Sequence, residues 1–431
     1  MEIKRDFYLN KLTDRKGNGL IKVITGVRRC GKSYLLNTIF YNRLISDGIN
    51  KDHIIRFAFD SAEDLSLIGE NLIDINNSNR KVDPEKFIRY INEKISDNNT
   101  YYLLLDEVQL LGSFEAVLNG YLRKDNMDVY VTGSNAKFLS KDIITEFAGR
   151  GDEILMYPLC YSEFMTVFDA DKYEGLSQYM LYGGIPLVVL RKTDQDKISA
   201  LDNLYREIYV RDIVLRNNVR NQNEFEDLLN YISSSVGLLT NPEKLKNTFR
   251  GVKKSNISSD TIKSYLDYME DSFLIESAVR YDVKGKSYIE TPKKYYYSDP
   301  GLRNSRIGFR QYEPNHLMEN VIYNELRMHG FKVDIGTVTA AERNESGSVV
   351  KKQLEVDFVC NMGSARYYIQ SAYSIPDAAK REQEIRPLIK IGDSFKKIVI
   401  TGDIVPAQYD ENGILTINVF DFLLNPTEYL R

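Results

Sequence analysis

The chain has 431 residues, with 57 Lys and Arg against 61 Asp and Glu and a formal net charge of −4; that length leaves room for several cores, and the near-balance excludes a global basic field, so any nucleic-acid surface has to be a local patch. Three cysteines far apart in the chain and only three histidines argue against a disulfide framework and against a zinc site. The opening MEIKRDFYLNKL lacks the apolar core of a signal peptide and no apolar run reaches bilayer length, so the expected setting is cytoplasmic, without a membrane partner.

The first predicted strand, LIKVIT, runs into GVRRCGKS and then into a helix-spaced apolar run. Gly26, four residues, then Gly31, Lys32 and Ser33 give the G-x-x-x-x-G-K-S spacing in the strand–turn–helix context it requires. Backbone N–H groups of such a turn point at phosphate oxygens, and the following helix adds its positive end. The expected cofactors are ATP and Mg²⁺. ATP would be held by Gly26, Val27, Arg28, Arg29, Cys30, Gly31, Lys32, Ser33 and Tyr34. Lys32 would reach the β- and γ-phosphates, and the Ser33 hydroxyl would ligate the metal. An ordinary glycine turn is the bland alternative.

Further along, HIIRFAF reads as a strand, residues 84–96 as a helix, and YYLLLDEVQ as a buried strand ending in Asp106 and Glu107. Two adjacent carboxylates after five apolar residues need a reason: Asp106 to hold magnesium through water, Glu107 to deprotonate an attacking water. A solvated strand end is the other reading. DVYVTGSN ends in Ser134 and Asn135, polar groups suited either to the space between γ-phosphate and water, where Asn135 would be catalytic, or to a helix N-cap. EFAGRGDE offers Arg150 as a guanidinium for developing phosphate charge, in cis or from a neighbouring subunit of a homo-oligomer; Arg28 and Arg29 are rivals for that role, and a plain surface arginine is the alternative. Strand and helix patterns alternate throughout this third, so the expected fold class is α/β with a parallel sheet and the ligand at the carboxyl ends of its strands.

GVRRCGKS, LLLDEVQ, VTGSN, FAGR, YPLCYSEF and YGGIPLVV resemble, in order and spacing, the ATPase domain of prokaryotic AAA-type proteins that carry a DUF4143-type C-terminal region (AAA_14/DUF4143), whose broader kin are the archaeal-type STAND signalling ATPases. The resemblance implies a helical lid whose glycine–proline motif approaches the nucleotide, and Gly184 and Pro186 are similar to it; a turn before a helix is the simpler account.

The expected domains are an ATPase core at 1–165, a helical lid at 166–230, a winged helix at 231–298 and a C-terminal α/β domain at 299–431. Two predicted helices and a hairpin between 243 and 298 resemble a winged helix-turn-helix, with the second helix as reader. Lys244, Lys246, Arg250, Lys253 and Lys254 suit DNA phosphates. Asp260, Asp267, Glu270 and Asp271 suit instead a structural or protein-contacting role for the same module, with an unidentified protein partner. In the last segment Glu319, Asp357 and the strand after it resemble the PD-(D/E)xK nuclease core, whose carboxylates gather a divalent metal. Gln370 stands where that core has a carboxylate and Ala372 where it has a lysine, so a degenerate domain is expected. The function read from the sequence is a nucleotide-driven ATPase switch; a DNA-binding module and a metal-dependent nuclease are the rivals.

Overall fold

Runs of apolar residues without alternation belong to strands buried on both faces, and three such strands form the centre of the first sheet. The computed structural model describes residues 3–78, 80–133, 147, 149–343 and 349–430. It divides into two compact units, Met1–Tyr157 and Pro158–Arg431.

In the first unit, β1 (Ile21–Gly26), β2 (Ile54–Ala58), β3 (Tyr101–Asp106), β4 (Met127–Thr132) and β5 (Gly151–Met156) pair in the order β2-β3-β4-β1-β5. Every pairing is parallel. All residues of β1, β3 and β4 are buried. The one lysine in β1, Lys22, is buried against Asp128 of β4, which also accepts from the Tyr130 hydroxyl at 2.9 Å; a buried cation without such a partner would cost several kcal/mol. The helix after β1 starts at Lys32–Tyr34, widens to a π-helix over Leu35–Phe40 and returns to α over Tyr41–Ser46.

The second unit is built on a nine-stranded sheet in the order β13-β14-β12-β11-β10-β9-β7-β8-β6. Its strands are β6 (Leu239–Thr240), β7 (Ile275–Asp282), β8 (Ser287–Tyr297), β9 (Lys332–Arg343), β10 (Val349–Met362), β11 (Ala365–Ala372), β12 (Lys396–Thr401), β13 (Gln408–Tyr409) and β14 (Ile414–Asn418). The helices Pro242–Val252 and Ser259–Asp271 precede the β7–β8 hairpin, and β6 pairs with β8. That hairpin does not stand apart: β7 pairs in parallel with β9, so one sheet crosses the boundary expected at 298/299. The helical stretch expected as a separate lid is likewise part of this unit. Leu176, Tyr179 and Met180 share a core with Leu317, Ile322 and Ile369.

Asp299 joins these parts. Its carboxylate accepts from the Gly184 N–H at 2.7 Å and the Leu302 N–H at 3.3 Å. A Cβ on Gly183 would meet Asp299 Oδ1 at 2.0 Å, and Gly183 has φ +76°, so only glycine allows this approach. Burial pushes the Asp299 carboxyl up to about 7 against the pull of the Gly184, Leu302, Gly301 and Ile185 backbone donors. The folded value lies above the unfolded value of about 4. The stability that Asp299 contributes through its proton is therefore complete below pH 4 and lost as pH rises through 7. About three pH units correspond to roughly 4 kcal/mol. Thermal melts of wild type between pH 4 and 8 should show this decline, and Asp299→Asn should flatten it. An unchanged slope in the variant contradicts the assignment.

Candidate nucleotide site

A parallel strand that ends in a glycine turn delivers the next helix over the sheet's carboxyl edge. Gly26 closes β1 with φ +127°, and a Cβ there would meet the Met156 carbonyl oxygen at 2.0 Å. Gly31 is left-handed at φ +100°, and the helix begins at Lys32. Val27 and Cys30 are buried, whereas Tyr34 is exposed on the helix. Lys32 is 6% exposed, and its ammonium donates to the carbonyls of Gly26 and Val27 at 3.0 Å each. It thus folds back over the turn, with its charge centred where phosphate oxygens would arrive.

The carboxylates come from the neighbouring strands. Asp106 closes β3 and is buried; Ser33 Oγ donates to its Oδ1 at 3.1 Å, Asn37 Nδ2 to its Oδ2 at 3.3 Å, and the Thr132 hydroxyl also donates to Oδ1. The site therefore connects β1's turn, β3 and β4 through one carboxylate. Burial pushes Asp106 up, the Thr132 and Ser33 hydroxyls pull it down, and Glu107 and Asp60 push it up again. Glu107 lies just beyond β3 in the left-handed region at φ +52°, its N–H donating to Thr132 Oγ1 at 3.1 Å and its carboxylate accepting from Gln109 Nε2. Asp60, just past β2, is raised first by burial and next by Glu107. Glu107 raises both Asp60 and Asp106, so the three carboxylates share this edge, with Arg29 acting on Asp60 and Lys32 on the adjacent turn. Ser33 and Asp106, the pair expected to hold Mg²⁺, are hydrogen-bonded to each other. No group of three or more His, Cys, Asp or Glu that could hold a metal ion occurs among the described residues.

Several residues of the site had no motif to announce them. Arg5 is 3% exposed and donates to the Cys30 carbonyl at 3.0 Å and the Tyr157 carbonyl at 2.7 Å, which pins the glycine turn to the end of β5. Asn37 reaches Asp106 from the π-helical stretch, a kind of distortion frequent at functional sites. Thr132 lies two residues before Ser134 in the stretch that ends in Ser134 and Asn135. Those two residues fall outside the described residues.

Arg150 is not near this edge. The register pairs Ile21 with Gly151 and Gly26 with Met156, and the Arg150 carbonyl accepts from the Ile21 N–H at 2.9 Å. Arg150 therefore lies at the amino ends of the strands, about 17 Å along β1 from Gly26 at roughly 3.3 Å per residue. An arginine side chain spans less than half of that distance, so the cis role expected for Arg150 is out of reach. Pro186 lies in the second unit, where it opens the short helix Pro186–Val189 after the turn held by Asp299.

An all-parallel five-stranded sheet with a G-x-x-x-x-G-K-S turn at its carboxyl edge and an Asp–Glu pair on the strand beyond defines a P-loop domain of the AAA type. Accordingly, residues 18–165 match the family model AAA_14, an AAA domain. A Haemophilus influenzae protein described as "Uncharacterized protein" is 33% identical over 428 residues, covering 98% of both chains, and the present chain belongs to its family. A Methanocaldococcus jannaschii protein is 28% identical over 433 residues, covering 97% of this chain and 88% of that one. The expected DUF4143-type region is corrected: residues 173–313 match DUF8612, a domain of unknown function. YPLCYSEF and most of the other motifs behind that expectation precede the matched stretch. Among solved structures, the ORC1 protein of Aeropyrum pernix in complex with DNA shows 10% identity and a TM-score of 0.32 over 72% of this chain and 93% of that one. Cdc6p of Pyrobaculum aerophilum shows 13% identity and a TM-score of 0.27 over 74% and 94%. Likeness at these scores carries no argument about DNA. No described helix is long and apolar enough to cross a membrane.

Proposed function

We propose that the protein is a Mg²⁺-dependent ATPase of the AAA type in which hydrolysis drives or resets a switch read by its second unit. The observation that carries the reading is the Asp106 carboxylate, tied at once to Ser33 of the phosphate turn and Thr132 of β4, with Glu107 adjacent. A metal entering there meets Ser33 and Asp106. Glu107, next along the chain and beyond the metal ligands, is the group to accept a proton from water attacking the γ-phosphate. Asn135 is assigned to orient that water, and Pro186 is assigned to the nucleotide.

Arg150 is assigned a role in trans. Its place at the amino ends of the strands is away from its own turn, and the role requires the active form to be a homo-oligomer; a plain surface arginine is the alternative. Phosphate release per chain should then rise with protein concentration. Mixing Arg150→Ala with Lys32→Ala, each inactive alone, should restore part of the wild-type rate. Turnover independent of concentration, with no rescue on mixing, removes the trans role.

The order of short strand, two helices and hairpin supports reading 231–298 as a winged helix grown into the larger sheet. Its second helix argues for a protein rather than a DNA partner. Asp260, Lys263 and Asp267 lie exposed on Ser259–Asp271, and Lys263 faces Asp260 at 3.5 Å. Of the basic run before it, Lys246 is paired with Glu243 and Lys253 with Asp227 at 2.9 Å. An acidic outer face repels phosphates.

A further inference from the structure

The carboxylates of the second unit that resemble a nuclease centre converge on a cation that belongs to the chain. Glu319 comes from the helix Pro314–Met328, and Glu355 and Asp357 from β10. Between them lies Lys294 of β8, its side chain 5% exposed. Its Nζ is 2.9 Å from Glu319 Oε1, 2.8 Å from Glu355 Oε1 and 4.0 Å from Asp357 Oδ1. The β10 ladder shifts register between Val356 and Val359, and a bulge of this kind re-aims a side chain. Two of these carboxylates have further partners: Asp357 Oδ2 accepts from the Ser371 N–H at 2.8 Å, and Glu319 Oε1, the oxygen that faces Lys294, also accepts from the Tyr296 hydroxyl at 2.7 Å. A cavity of about 720 Å³ reaches Glu319, Asp357 and Gln370.

A divalent ion needs carboxylate oxygens around an otherwise empty point, about 2.0–2.6 Å away. Here that point holds an ammonium, and a second cation beside it would be repelled. Gln370 and Ala372 supply neither the missing charge nor a base. The residues present therefore do not fit the metal that the nuclease resemblance implies. We infer that Lys294 is the resident cation of this cluster, replacing a divalent metal, so that the centre binds no metal, cleaves no phosphodiester bond, and instead fastens the β7–β8 hairpin to the helix and β10. Burial works against the ammonium, but Glu319, Asp357 and Glu355 more than reverse it, which keeps Lys294 protonated above the usual lysine range. Removing it would leave three carboxylates without a counter-ion, the costly half of a buried pair.

The test uses full-length protein without nucleotide. Manganese binding to wild type, followed by the electron paramagnetic resonance of free Mn²⁺, should show no site that disappears in Asp357→Asn. A site with Kd below about 1 mM that is lost in that variant overturns the inference. Lys294→Ala should melt well below wild type and recover by about 3 °C or more in 5 mM Mn²⁺, whereas wild type and Lys294→Ala/Asp357→Asn should not respond. A folded Lys294→Ala that gains nothing from Mn²⁺ also overturns it. If Lys294→Ala does not fold, the wild-type and Asp357→Asn manganese titrations decide alone.

Discussion

Lys32→Ala is expected to weaken ATP binding by at least about 100-fold, the scale of a charge-assisted contact to phosphate removed from a site that offers no replacement. The argument rests on where the ammonium lies. It is buried and donates to the Gly26 and Val27 carbonyls, so its charge lies on the glycine turn itself, beside Asp106 and Glu107. Incoming phosphate oxygens would take over its hydrogen bonds without moving its stem. Truncation also releases two carbonyls of the turn, so the loop loses an internal support together with its ligand contact. Titration of a fluorescent ATP analogue against wild type and variant reads the effect. Equal affinity of the two proteins would show that this turn does not hold the phosphates.

Glu107→Gln is expected to separate binding from turnover: ATP affinity within about threefold of wild type, and phosphate release slower by about 10²–10³-fold, the range of a lost general base. Glutamine keeps the shape, and the backbone N–H still donates to Thr132, so the left-handed turn at 107 survives. What disappears is the acceptor for the proton of water. Retained turnover in this variant would transfer the role to Asp60, the other carboxylate raised at this edge.

The phosphate turn and the Asp106–Glu107 pair were legible because each is a local pattern: glycines where the backbone must turn left-handed, and carboxylates where an apolar strand should have ended quietly. Arg5, Asn37 and Thr132 were not legible, since each acts through a contact far away in sequence, Arg5 reaching Cys30 and Tyr157 from just before the helix Asp6–Asp14. The sequence reading also divided the rest of the chain at loops, where folding divides it by sheets; the parallel pairing of β7 with β9 joins segments that composition keeps apart. Lys294 shows the same limit most sharply. Ala372 stands where the nuclease core has its lysine, while the lysine that fills the cluster sits in PKKYYYSD, on a hairpin expected in another domain.

The central claim is that this edge of the first sheet binds and hydrolyses ATP, and the most direct test measures bound nucleotide and phosphate release on the same preparations of wild type, Lys32→Ala and Glu107→Gln, with Mg²⁺ and with the metal chelated. The account predicts nucleotide bound to wild type and Glu107→Gln but not to Lys32→Ala, and phosphate release from wild type only, abolished by chelation. Phosphate released at one rate by all three proteins, or wild type that binds no ATP at millimolar concentration, would contradict it.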